Sequence, residues 1–207
     1  MTSSTTHTLR QSLTALAAAA LFAACTDRLT AGPEGRQGDG RPRADLTAAE
    51  AAAAAFGRFP DLGNCENDIG VPEGSRDSFH VFGKGVQIYR WTGTAWVFFN
   101  PAADLYADAD GNGLVGTHFG TPNGPGWRTF SGSQVVGTVS GRCTPNPAAI
   151  AWVRLDAVAS GAGVFEQTKF IQRVNTVGGL APTAPGSFVG QEARVPYTAD
   201  YFFYRAP

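Results

Sequence analysis

The chain is poor in charge, in histidine and in cysteine, and each shortage removes a class of function. Charged residues make up 16% of its 207 positions and the formal net charge is -1. It therefore has no basic surplus with which to neutralise a phosphate backbone, and nucleic acid is not an expected partner. Of the histidines only His80 and His118 lie beyond the N-terminal segment. A three-histidine metal centre is excluded, and a mixed site would need distant carboxylates to converge. The longest apolar run, residues 13–24, is too short to span a bilayer as a helix. Ser131-Gly132-Ser133 lacks the G-x-S-x-G pattern of a nucleophile elbow. Alternating strand and helix patterns are missing too, which argues against an α/β sheet.

What is present begins with an address. A polar start containing Arg10 leads into the apolar run and ends at Leu21-Phe22-Ala23-Ala24-Cys25. Small residues before a cysteine resemble the lipobox of bacterial lipoproteins, in which the signal is cut before the cysteine and that residue carries the lipid. Residues 1–24 are thus expected to be a signal segment and Cys25 the lipidated first residue, with Phe22 standing where a lipobox has leucine. Removing that segment takes away Arg10 and no acid, leaving 15 basic against 17 acidic side chains, near -2. The expected location is the cell envelope, anchored to a lipid bilayer through Cys25; plain secretion or a soluble periplasmic protein is the alternative. With Cys25 used, Cys65 and Cys143 remain as a pair in an oxidising compartment and are expected to be bonded. Two free thiols are the competing reading.

Residues 25–46 are rich in Gly, Pro and charges of both signs, a tether that cannot bury a core. Residues 47–70 form a lead-in, in which Thr47 and Glu50 have capping-box spacing ahead of an alanine run, predicting a short helix to about Phe56. Residues 71–207 read as an all-β domain. Strand-like runs lie at 79–82, 86–91, 96–99, 114–119, 127–130, 134–139 and 150–158, with Gly93 expected to turn a hairpin between Trp91 and Trp96 and Pro101 to end the returning strand. At 168–178 period two puts Ile171, Arg173 and Asn175 on one side and Phe170, Gln172 and Val174 on the other. The last run, VPYTADYFFYR, is aromatic on both faces and predicts a central strand. Arg173 and Asn175 each need a partner, for which Asp156, Glu166 and Asp200 are candidates. About nine or ten short strands fit an antiparallel sandwich or barrel.

Five motifs in one order, GVQIYRWTGTAWVF, LVGTHFG, GSQVVGTV, KFIQRVNTVGGLAP and VPYTADYFFYR, resemble a family of exported bacterial and fungal proteins known only as a domain of unknown function. The resemblance covers roughly residues 71–205 and implies an exported domain without naming an activity. Thr121-Pro122-Asn123 lengthen the segment between His118 and Trp127, and Ala151 stands where a proline is expected before Trp152. Some relatives carry a malate dehydrogenase label. The nearest dinucleotide fingerprint, Gly161-Ala162-Gly163-Val164-Phe165-Glu166, lacks the third glycine and runs into a strand, so the label is rejected.

Two constellations carry candidate chemistry. Asp108, Asp110, Asn112 and Gly113 match the start of a calcium loop, but the twelfth position is Phe119, which excludes an EF-hand and favours an Asx-rich turn. His118, with Asp104, Trp127 or Arg128, could line a pocket and act as an acid or base; a histidine that fixes a loop by hydrogen bonding is the plainer reading. Trp91, Trp96, Trp127 and Tyr89 could form a platform for sugars or apolar ligands, although most aromatics of a β domain are core. The expectation is a non-catalytic binding or structural module of the envelope that needs no cofactor; a small exported enzyme centred on His118 is the alternative.

Overall fold

The computed structural model describes Thr47 and residues 59–207. The expected signal segment, Cys25 with its tether and all but the first residue of the alanine-rich helix lie outside the described residues. A 3-10 turn (Gly63–Cys65) and one short helix, α1 (Glu66–Ile69), precede eight strands: β1 (Arg76–Trp91), β2 (Trp96–Tyr106), β3 (Leu114–Thr121), β4 (Gly124–Thr129), β5 (Gln134–Cys143), β6 (Trp152–Ser160), β7 (Thr168–Gly178) and β8 (Glu192–Arg205). Each pairs antiparallel with its sequence neighbour, and β8 also pairs with β1, so the sheet closes into an up-and-down barrel with no free edge.

The barrel-like all-β reading holds, with eight strands in place of nine or ten. Residues 79–82 and 86–91 belong to one 16-residue strand, because β1 pairs with β2 and β8 straight through Gly83, Lys84 and Gly85. Pro101 does not end β2 either. It lies opposite Gln87 beside a register shift at Ile88 and Tyr89, and a bulge is where a sheet accepts a residue with no N–H. The Trp91–Trp96 hairpin forms as expected, with Gly93 at φ 102° in the turn and the two indoles 5.4 Å apart. The added residues 121–123 lie in the tight β3–β4 turn, which Thr121 and Gly124 close as partners.

Alternation divides the apolar residues between two cores. Inward-facing Phe79, Val81, Leu105, Val135, Leu155, Ile171 and Phe203 fill the barrel. At one end Phe165, carried by the β6–β7 connection, packs edge-on to Phe79 at 5.3 Å and against Phe203 at 4.6 Å, plugging the barrel with aromatic rings. That connection runs from Gly161 directly into β7 with no helix, whereas a dinucleotide fingerprint requires one there. Outward-facing Val174, Phe202 and Tyr204 form the second core under Leu62, Cys65 and Ile69 of the lead-in, which explains why β8 is aromatic on both sides. Polar side chains fasten this strap: Gln172 donates from Nε2 to the Ile69 carbonyl at 2.7 Å and accepts from the Tyr204 hydroxyl at 2.7 Å, and Arg154 donates to the Gly70 carbonyl at 2.6 Å. Elsewhere the outer surface carries Lys84, Asp104, Arg128, Asp156 and Lys169, all exposed.

Cys65 and Cys143 are bonded, as expected, joining the strap to the end of β5 across 78 residues. A cross-link of that span is worth about 4 kcal/mol in the chain-entropy description. Chemical denaturation with and without reductant checks this: the reduced protein should lose on the order of that amount through a lower midpoint, and a loss under ~1 kcal/mol would show that the strap holds without its tie.

Candidate functional site

The end of the barrel opposite the Phe165 plug is open. Antiparallel pairing places the end of β1, the start of β2, the end of β5, the start of β6 and the end of β7 around it, and they enclose a cavity of about 450 Å³. That size suits a small organic molecule. Its walls are mainly apolar, with Phe98, Val139, Ile150, Val153, Leu155 and Leu180 among them.

Gly85, Ala103, His118, Trp127 and Val135 are successive cross-strand partners from β1 to β5, and of this row His118 and Trp127 form the floor of the cavity. His118 stacks on Trp127 with ring centroids 4.4 Å apart and planes 14° from parallel, and Tyr201 meets both rings at 5.1 and 5.5 Å. His118 Nδ1 lies 2.8 Å from the Gly126 carbonyl, which can only accept, so the proton sits on Nδ1 and Nε2 is left as an acceptor. Burial pushes the imidazole down to about 3; the bond to Gly126 opposes the shift and the Arg173 cation adds to it. A base that weak is badly matched to proton transfer near neutral pH, and the ring's faces are already covered. His118 is a fixed, neutral wall residue.

Above this floor the polar side chains are hydroxyls and donors. The Tyr89 hydroxyl donates to the Gly179 carbonyl at 2.6 Å, and Gly179 holds φ 80° in a space where a Cβ would lie 2.9 Å from Tyr197 and 3.0 Å from Ile150. The Tyr197 and Tyr201 hydroxyls share a hydrogen bond of 3.0 Å. Burial raises all three phenols above their ordinary range, while Arg173 acts in the opposite direction on each. Arg173 itself projects inward from β7 and donates from Nη2 to the Ala151 carbonyl at 2.7 Å. This corrects the expected pairing with Asp156, Glu166 or Asp200, because strand parity turns Arg173 into the barrel while Asp156 is exposed outside it. Asn175 does find Asp200, donating from Nδ2 at 2.7 Å.

Of the sequence candidates, His118 and Trp127 meet at the cavity. Asp104 does not line this cavity: one residue from inward-facing Ala103, it sits between Lys84 of β1 and Thr117 of β3, where a second, open hollow of about 370 Å³ is lined by Lys84, Asp104 and His118. Arg128 likewise faces out, donating to Gln134 and lying over the Phe119 ring. Tyr89 lines the cavity, whereas Trp91 and Trp96 sit at the hairpin, where Trp96 donates to the Ala184 carbonyl, so the four aromatics form no single platform. His80 stacks on Phe202, on the outer side. In the acidic turn both carboxylate oxygens of Asp108 accept from Asn112, one from its backbone N–H at 2.9 Å and one from its side chain at 3.1 Å. These bonds hold Asp108 below the usual carboxylate range and make the segment a self-satisfied Asx turn. Among the described residues no cluster of three or more His, Cys, Asp or Glu could hold a metal ion. Gln87 and Arg173 are the site residues that sequence reading missed; both follow the inward parity of Tyr89 and Ile171, which was the available signal.

Folded His118 stays neutral far below the ordinary histidine value of about 6.5, so between that pH and about 3 the unfolded chain takes up a proton that the folded chain refuses. The stability contributed by this exclusion is complete above about pH 6.5 and is lost as acid is added. Denaturant midpoints of wild type and His118→Gln between pH 7.5 and 4 should diverge, the wild type losing up to about 1.4 kcal/mol per pH unit more steeply. Parallel curves would mean that the ring is open to protons.

Neither the curated proteins nor the solved structures contain a match to this chain. The family described as Protein of unknown function (DUF3455) matches residues 72–205, from just before β1 to the last residue of β8, and the motifs noted in the sequence lie inside that span. The chain belongs to that family.

Proposed function

We propose that this protein is a non-catalytic carrier or receptor of a small, largely apolar molecule, held in the open end of its barrel and displayed at the cell envelope. The observation that carries the reading is the apolar cavity of about 450 Å³ inside a closed eight-stranded barrel, whose remaining interior is filled by side chains. Barrels of this strand number have room inside for one small ligand and little else. An enzyme centred on His118 is less well supported, since its imidazole is stacked, bonded to Gly126 and a weak base. The envelope location rests on the apolar run ending at Cys25 and on the Cys65–Cys143 bond, which belongs to an oxidising compartment.

A neutral fluorescent probe, N-phenyl-1-naphthylamine, tests the cavity. Saturable binding at one site per chain is expected. Val139→Trp, a substitution at a 44% exposed lining position, should weaken it at least about tenfold by blocking the mouth, and Val158→Trp, 75% exposed and not part of the lining, should leave it unchanged. Absence of saturable binding, or equal binding by the two variants, contradicts the reading. Mass spectrometry of the native protein tests the address separately: an acylated Cys25 at the mature N-terminus is expected, and an unmodified cysteine there would remove the anchor.

A further inference from the structure

The polar groups of the cavity are lopsided. Its lining includes two guanidinium groups, Arg142 at the exposed rim and Arg173 within, and no carboxylate. Arg173 spends one nitrogen on the Ala151 carbonyl; its Nε is shut off from solvent and has no acceptor. Two neighbours in the lining share that condition. Gln87 is 2% exposed and Trp127 1% exposed, and neither Gln87 Nε2 nor Trp127 Nε1 has a hydrogen-bond partner. Gln87 and Arg173 also reach the Tyr197 and Tyr201 hydroxyls, whose bond to each other leaves lone pairs for such contacts, but neither contact gives Arg173 Nε or Trp127 Nε1 an acceptor. No carboxylate among the described residues lies within ion-pair distance of Arg173.

A buried donor without an acceptor costs roughly 1–3 kcal/mol, more when it is charged. Three of them lining one cavity, with an uncompensated positive charge, describe half of a binding site. The missing half is an acceptor with negative charge, and the guanidinium fork matches the two oxygens of a carboxylate. A doubly charged phosphate would need more than one inner cation, and Arg142 stays at the rim. The apolar walls at Val153, Leu155 and Leu180 ask for a hydrocarbon or aromatic body attached to that single charge. Low-dielectric walls strengthen the attraction of Arg173 for an anion beyond its value in water.

We propose that the cavity binds an amphiphilic monocarboxylate, its carboxylate met by Arg173 with Gln87 and Trp127 as further donors and its apolar body lying along Val153, Leu155 and Leu180. This rests on the cavity being a binding site, as argued above. Calorimetry of the full chain with decanoate and decanol, two ligands of equal chain length and unequal charge, separates the two ideas. Wild type should bind decanoate about tenfold or more tightly than decanol. Arg173→Met should abolish that preference while decanol affinity stays where it was, and Arg173→Lys should restore part of it. Decanol binding as tightly as decanoate would overturn the anion assignment and leave the cavity reading standing; failure of both to bind would overturn both. A preference that survives in Arg173→Met would remove Arg173 from the site, and if that variant does not fold, the wild-type comparison and Gln87→Leu, expected to lower decanoate affinity more than decanol affinity, decide the question.

Discussion

Everything in this structure follows from the pairing of the last strand with the first. β8 runs antiparallel to β1 from Arg76 opposite Arg205 to Arg90 opposite Glu192, and it is bonded to β7 on its other side, so a meander that would otherwise expose two long edges becomes a closed wall. The exposed pair at the far end of this seam, Arg90 with Glu192, has its nitrogen and oxygen 2.9 Å apart. Closure, more than such surface pairs, holds the fold: exposed ion pairs contribute little, while a barrel with no edge cannot slip its register without breaking every neighbouring pair.

Closing the sheet creates an inside and an outside, and β8 serves both. Tyr197, Ala199, Tyr201 and Phe203 face in; Phe202 and Tyr204 face out under the strap. The barrel is then finished differently at its two ends. Phe165 and its neighbours plug one, and the other keeps Gly179, the tyrosine hydroxyls and Arg173 in a space that side chains do not fill. One barrel thus has a packed half and an open, largely apolar half, and the strands that carry Arg173 and Trp127 run from one into the other.

Much of this was legible in the amino-acid order. The two-sided aromatic pattern of VPYTADYFFYR anticipated a strand covered on both faces, the Gly93 hairpin formed where expected, and Cys65 is paired with Cys143 as the expected export and the cysteine count implied. Strand parity was visible as well, yet what each parity faces was not. Arg173 was known to share a side with Ile171, but only closure reveals that this side looks into a cavity, where a carbonyl and not a carboxylate receives it. Asp104 lies away from the main cavity for the same reason: it is one position out of step with Ala103, and a period of two sends adjacent residues to opposite faces. Pro101 and the run through Gly83 were misjudged because local propensity marks a break where pairing on both sides of β1 carries the ladder through. Partners across a barrel are many residues apart in the chain, so no local pattern encodes them.

The proposal of an anionic ligand rests on three buried donors, Gln87 Nε2, Trp127 Nε1 and Arg173 Nε, that the fold holds without acceptors. Nitrogen-resolved NMR observes these N–H groups directly. On addition of a saturating amphiphilic carboxylate, the indole signal of Trp127 and the Nε signal of Arg173 should shift together with the Gln87 amide protons, while the indoles of Trp91, Trp96 and Trp152 stay in place. Shifts confined to the other three tryptophans, or none at all, would contradict the assignment of these donors to an anionic ligand.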